Sequence, residues 1–153
     1  MTATPPPPRT AFLLAQLGAE AASRFAGRVA ELGLTPREAG AIRVLGRTPG
    51  LSQRELAARL GTVPARLVAL VDELENKGLV VRARNEADRR NYVLSLSESG
   101  EELLARLREV AEAHQADMLS PLGAEDQRTL AALLDTLARG AGLGPDGHPG
   151  YRA

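Results

Sequence analysis

The sequence predicts a mainly α-helical chain with one small β-hairpin: a winged helix-turn-helix with additional helices on either side. Three observations carry this reading. Two short amphipathic segments, Ser52–Leu60 and Thr62–Lys77, follow each other across Gly61. Two β-branched, alternating runs come directly after them, LVVRAR at 79–84 and YVLSL at 92–96. Long stretches with apolar residues at helical spacing lie before and after this block.

Taken in order, residues 1–9 include Pro5 to Pro8, which favour an extended, solvated arm. From Thr10 to about Leu32 the apolar positions Phe12, Leu13, Leu17, Phe25, Val29 and Leu32 read as one long helix. Gly18 and Gly27 inside it each cost up to about 1 kcal/mol relative to Ala, which is tolerable where another helix packs closely. Thr35-Pro36-Arg37-Glu38 is a capping box with proline at the first helical position, and it opens a helix to about Thr48. The middle of that helix, Ala39-Gly40-Ala41, has two readings: close backbone packing, the commoner use of small residues, or room for a ligand.

Ser52 with Glu55 three residues later is a second capping box. Leu56, Ala57 and Leu60 follow at helical spacing, and Gly61 supplies a residue that tolerates the conformation at a helix end. Thr62 is the expected cap of the next helix, with Pro64 in its first turn and Leu67, Leu70, Val71 and Leu74 as its apolar stripe to Lys77-Gly78. Two short helices across a tight turn can place the second in the DNA major groove. The hairpin behind them is then a wing, and its polar loop, Asn85 to Arg90, is flanked and carried by Arg84, Arg89 and Arg90. Ser97 caps a long helix to about Met118, Pro121 and Gly123 break it, and a last helix, Ala124–Arg139, carries Leu130, Leu133, Leu134 and Leu137. The Gly/Pro-rich residues 140–153 read as a flexible tail.

These residues resemble the MarR family of winged-helix regulators. The likeness lies in LSQRELAARLG for the first helix, LVALVDELENKGLV for the second and its exit, and Asp88-Arg89-Arg90 followed by Leu96-Ser97-Glu98-Ser99-Gly100 for the wing and the next helix start. Asp88, Arg90, Leu96 and Ser97 fall on the family's Asp, Arg and Leu-Thr positions, with serine replacing threonine. The resemblance implies one domain over residues 10–139, with a DNA-binding module at about 36–97 and dimerisation helices at about 10–32 and 98–139. It implies a ligand-responsive transcriptional repressor that binds double-stranded DNA at a pseudo-palindromic operator as a homodimer. The two recognition helices would then enter successive major grooves about 34–36 Å apart. The apolar faces of the outer helices, larger than one small winged domain can cover, point to the same dimer.

The expected DNA-contacting residues are Ser52, Thr62, Pro64, Ala65, Arg66 and Ala69 on the helix-turn-helix and Arg84, Asp88, Arg89 and Arg90 on the wing. The sequence departs from the family where the recognition helix faces the groove, because Pro64, Ala65 and Ala69 offer only apolar contacts and Arg66 is left as its strong donor. A winged-helix protein-interaction module without DNA binding is the alternative. Asp88 is expected to organise the wing turn and orient a guanidinium. The resemblance also implies a small aromatic or phenolic effector, near Ala39, Gly40 and Ala41.

The chain is neutral overall, with 19 Lys and Arg against 19 Asp and Glu, but its charge is unevenly placed. Residues 79–97 hold four arginines against two acids, whereas residues 98–139 hold nine acids against four arginines, so a local basic footprint survives at the wing. There are no cysteines, which excludes disulfides and thiolate metal sites. No stretch suits a membrane span or a signal segment, consistent with a cytoplasmic protein. His114, with no second His or Cys nearby, is expected at the surface rather than on a metal. Ser52 and Ser97 lack a histidine base and are better explained as caps, and no phosphate loop is present, so neither an enzyme nor a cofactor is expected.

Overall fold

The computed structural model describes residues 9–152, so the proline-rich start expected as an arm falls, apart from Arg9, outside the described residues. Six helices and one hairpin follow in the order α1 Thr10–Ala30, α2 Pro36–Arg47, α3 Gln53–Leu60, α4 Pro64–Asn76, β1 Val80–Arg84, β2 Tyr92–Leu96, α5 Glu98–Leu119 and α6 Ala124–Gly140. Both capping boxes form. Thr35 Oγ1 accepts from the Glu38 N–H while Glu38 accepts from the Thr35 N–H, and Ser52 and Glu55 repeat the arrangement at α3.

Gly61 sits at φ 67° and closes α3 with two bonds, its own N–H to the Ala58 carbonyl and the Thr62 N–H to the Ala57 carbonyl. This double closure corrects the assignment of Thr62 as the cap of α4. Thr62 belongs to the exit of α3, the α4 cap position falls on Val63, and the Thr62 hydroxyl is buried without a partner. Proline at the start of α4 makes the missing side-chain cap cheaper, since one of the orphan N–H groups is absent.

The core is built from one side of each inner element. Ile42, Val44 and Leu45 of α2, Leu56 and Leu60 of α3, Leu67, Val71 and Leu74 of α4, Val80 and Leu94 of the hairpin and Leu104 and Leu107 of α5 are all buried together. The hairpin pairs Val80 with Leu96 and Arg84 with Tyr92. Leu51 adds a short third segment, exchanging backbone bonds so that Leu94 N–H donates to Leu51 O at 2.7 Å and Gly50 N–H to Leu94 O at 2.8 Å. The wing is thereby anchored to the α2–α3 connection as well as to α4. At the hairpin's exit, Ser97 caps α5 and its hydroxyl also donates to the Gly78 carbonyl. Gly100 one turn later is buried, and a side chain there would run into the Leu79 carbonyl.

Glu38 is 1% exposed, and two donors converge on its carboxyl group. Its carboxylate accepts from Lys77 Nζ at 2.6 Å and from the Thr35 N–H, while the same Lys77 donates to the Gly33 carbonyl at 3.0 Å. The C-terminal end of α4 is thus tied to the α1–α2 turn.

The outer helices are different. α6 buries no residue, and Leu133, Leu134 and Leu137 are exposed along with Phe12, Leu13, Leu14 and Leu17 on α1. No helix among the described residues is long and apolar enough to cross a membrane.

The segment after α6, expected as a flexible tail, instead folds back over the core, ending in one turn of 3-10 helix at Pro149–Arg152. Asp146 is buried at 8% exposure and Tyr151 packs against the core. Glycine and proline gave no periodicity to read here, and the packing depends on single side chains meeting partners about a hundred residues away. His114 corrects a second expectation. It lies half-buried against Phe25, with ring centroids 5.5 Å apart, and burial pulls its pKa below 6.5, aided by Arg28 and Arg24 and opposed by Asp117.

Candidate nucleic-acid interface

Helical spacing dictates what α4 can present. Leu67, Leu70, Val71 and Leu74 are buried, so Pro64, Ala65, Arg66, Val68 and Ala69 are left on the outer face of its first turns. All five are exposed, and Arg66 is the only cation among them. Further along the same surface the acidic residues Asp72 and Glu75 do not stand alone. The Arg82 guanidinium of β1 pairs with Asp72 and lies 3.5 Å from Glu75, which neutralises negative charge that would otherwise face phosphate. Arg82 was not singled out from the sequence, although its place opposite an acidic helix turn is the signal that would have found it.

Ser52 is expected at DNA, but its hydroxyl is occupied locally: it accepts from the Glu55 N–H and donates to the Glu55 carboxylate at 2.8 Å. The Ser52 N–H, donating in return, holds the Glu55 carboxyl below its ordinary 4.5, with help from the hydroxyl. Thr62 is similarly withdrawn, half-buried with its hydroxyl inside. Both residues position backbone more than they offer side chains.

At the wing, Arg84, Arg89 and Arg90 are exposed, and among the described residues no ion pair or hydrogen bond holds their guanidinium groups. Asp88 does organise the turn: Oδ1 accepts from the Arg90 N–H at 3.1 Å and Oδ2 from the Asn91 amide at 2.9 Å. The expected orientation of a guanidinium does not occur, because Asp88 engages the backbone of Arg90 and leaves its side chain free. The three wing arginines, unpaired among the described residues, and the acid-free first turns of α4 make a surface suited to a polyanion, while Glu73, further along the row of Arg66 and Ala69, is exposed and opposes it.

The small residues of α2 divide. Ala39 and Gly40 border a cleft with Phe25, Arg43, Leu104 and Tyr151, whereas Ala41 is fully buried in the core and borders none of the clefts described. An adjoining cleft of about 430 Å³ runs from Phe25 and Pro36 past Arg37 to Arg66 and Leu70. Close packing wins at Gly40, because a Cβ there would lie 2.7 Å from the Tyr151 phenol oxygen. Burial pushes that phenol's pKa above 10, while Arg43 nearby pulls the other way.

Comparison with known proteins places this geometry. The MarR family profile matches residues 32–91. The chain is 36% identical over 107 residues to a protein of Thauera aromatica described as a putative transcriptional regulatory protein for the hcr operon, covering 70% of this chain and 64% of that one. It is 31% identical over 126 residues to the transcriptional repressor Rv2887 of Mycobacterium tuberculosis, covering 82% of this chain and 91% of the repressor. Among solved structures, the transcriptional repressor CouR bound to a 23-mer DNA duplex superposes with a TM-score of 0.76 at 32% identity, over 84% of this chain and 91% of that one. Rv2887, described there as a MarR family protein, in complex with p-aminosalicylic acid superposes with a TM-score of 0.69 at 30% identity, over 84% and 97%.

Proposed function

Because this chain belongs to the MarR family, we propose that it is a DNA-binding transcriptional repressor, working as a homodimer on a pseudo-palindromic site and responding to a small aromatic or phenolic ligand. The observation that carries this reading is the pairing of an exposed α4 face with a wing tip whose Arg84, Arg89 and Arg90 have no internal partner. In this reading α4 enters the major groove with Pro64, Ala65 and Ala69 against thymine methyl groups and Arg66 reaching a base or phosphate. The wing arginines meet the backbone or a narrow minor groove, whose negative potential attracts guanidinium. Ser52 and Thr62 serve by fixing the turn, and Asp88 by holding the wing loop so that Arg89 and Arg90 project.

The dimer reading is supported by the uncovered leucines of α1 and α6. One winged module offers no surface to bury them, and a second copy does. The ligand reading is supported by the cleft between α1, α2 and α4, where Phe25, Pro36 and Leu70 supply apolar wall and Arg37 and Arg66 supply two positive charges against the single carboxylate of Glu73. Such a lining suits a planar aromatic acid, the class to which the ligand of the mycobacterial relative belongs. A ligand there shifts DNA affinity by no more than its preference for one arrangement of α1 and α4 over another.

The test is selection of bound fragments from genomic DNA, followed by titration of one selected fragment and its scrambled version over a range of salt. Specific binding whose affinity falls steeply with salt and is altered by an aromatic acid is the expected result. Absence of binding to any fragment at low salt would return the chain to the protein-interaction reading.

A further inference from the structure

The residues that follow α6 engage the DNA-facing module more closely than a linker requires. Asp146 pairs with Arg47 of α2, with Arg59 of α3 4.0 Å from its other oxygen, and its carbonyl accepts from Arg43 at 3.3 Å. Gly147 runs past the carbonyls of Arg59 and Leu60, in ordinary van der Waals contact with that end of α3. The His148 ring lies 5.4 Å from that of Tyr151 and its Nδ1 accepts from the Gly150 N–H, closing the turn that aims the phenol inward. Tyr151 then lies over Gly40, beside Phe25 and Arg43, in the space between α1, α2 and α5. One residue on, the Arg152 carbonyl accepts from the Arg66 guanidinium.

Two consequences follow from this single docked segment. The cleft at Ala39 and Gly40 is capped on one side by a phenol that the chain itself carries, and this is the aromatic seat meant below. Arg66, the one cation on the outer face of the first turns of α4, is exposed but spends a guanidinium N–H on the tail's Arg152 carbonyl. We propose that residues 146–152 are an internal ligand: Tyr151 occupies the aromatic seat, and the docked segment withholds Arg66 from DNA, so that the tail is an autoinhibitory element. The inference rests on the reading of α4 as the DNA-contacting helix.

The free tail and the docked tail are two states, and DNA competes with the docked one. Apparent affinity is then reduced by the fraction of molecules whose tail is released. If that fraction is on the order of a tenth, abolishing docking tightens DNA binding roughly tenfold.

The experiment uses the full chain throughout, with two releasing variants, Tyr151→Ala and Asp146→Ala, so that a folding defect in one does not decide the matter. Both are titrated against a selected DNA fragment beside the unaltered chain, and again in an Arg66→Ala background. Tighter binding by both variants, with the gain abolished once Arg66 is absent, is the expected result; a merely structural tail would show no such dependence on Arg66. A second reading needs no DNA. With two tyrosines and no tryptophan in the chain, Tyr92→Phe leaves Tyr151 as the only tyrosine emitter, and acrylamide should quench it weakly until Asp146→Ala is added.

Equal or weaker DNA binding by both releasing variants overturns the inference and leaves the DNA-binding reading standing. Free access of acrylamide to Tyr151 in the Tyr92→Phe chain overturns it as well, whatever the DNA result. If no version binds any fragment, the proposed function fails and the inhibitory role fails with it, an outcome distinguished from the others by the absence of binding in the unaltered chain.

Discussion

The winged module and the outer helices solve opposite problems with the same kind of residue. In α2 to β2 most large apolar side chains are turned inward, and those left outside, Val63, Val68, Val81 and Tyr92, are scattered singly. In α6 and the first half of α1 the leucines point outward, with Leu133 59% and Leu17 56% exposed. A side chain such as leucine gains about 1.5–3 kcal/mol on full burial, so a row of them left in water is a standing drive to associate. The module carries its stability within one chain, whereas the exposed leucines of the outer helices are what the second copy proposed above would cover. Mutations should therefore fall into two groups, those that unfold the chain and those that only separate copies of it.

The largest effect is expected from charge on the outer face. Leu133→Glu combined with Leu137→Glu should convert a dimer into a folded monomer by sedimentation, with circular dichroism unchanged and specific DNA binding abolished. A dimer that persists would show that α6 faces water by design. Next comes the opposite kind of change, within the module. Gly100→Ala drives a methyl group toward the Leu79 carbonyl, and overpacking of this kind typically costs about 1–3 kcal/mol. Chemical denaturation should read that loss, and an unaltered midpoint would mean that the hairpin exit can shift.

Smaller effects separate the two halves of the DNA surface. Arg89→Ala should weaken specific and scrambled DNA alike and reduce the salt slope by roughly one unit for each phosphate it no longer neutralises. Arg66→Ala should instead narrow the gap between the two DNAs. If the wing variant leaves the slope untouched while Arg66→Ala weakens both DNAs equally, the roles are reversed.

The smallest effect concerns the packing of α1 against α5. His114, facing Phe25, Arg24 and Arg28 across that junction and Asp117 on its own helix, has a pKa below 6.5 when folded. The unfolded chain therefore takes up a proton first as pH falls. The stability associated with a neutral His114 is complete above 6.5 and is lost as pH drops through the folded value. Thermal unfolding across that window should show the decline, and His114→Leu should flatten it.

What the sequence disclosed depended on whether the cause was local. The capping boxes at Thr35 and Ser52, the left-handed Gly61, the stripe of α4 and the alternation of the hairpin all act over a few residues, and each formed as expected. Thr62 was misassigned because two local patterns competed for it, and the helix exit won over the helix entry. The half-burial of His114 was legible: Leu103, Leu107, Val110 and His114 continue one helical row, and only the residue type suggested solvent. The docking of Tyr151 and Asp146 was not legible, since nothing near them in the chain marks the partners Gly40, Arg43 and Arg47. Gly40→Leu would collide with Tyr151, in line with close packing, the commoner of the two readings of the small-residue run.

The buried anchor of Lys77 also gives α4 a mechanical character. The helix is clamped at one end, where Lys77 grips Glu38 and the Gly33 carbonyl, and its other end carries Arg66 roughly 16 Å away at 1.5 Å per residue. Between these two ends Leu67, Val71 and Leu74 are fully buried in the core, so a displacement at the Lys77 grip would be passed on by α4 moving as one body. Because the grip sits on the turn between α1 and α2, a repositioning of α1 that carried this turn with it would reach the proposed DNA surface at Arg66 through α4.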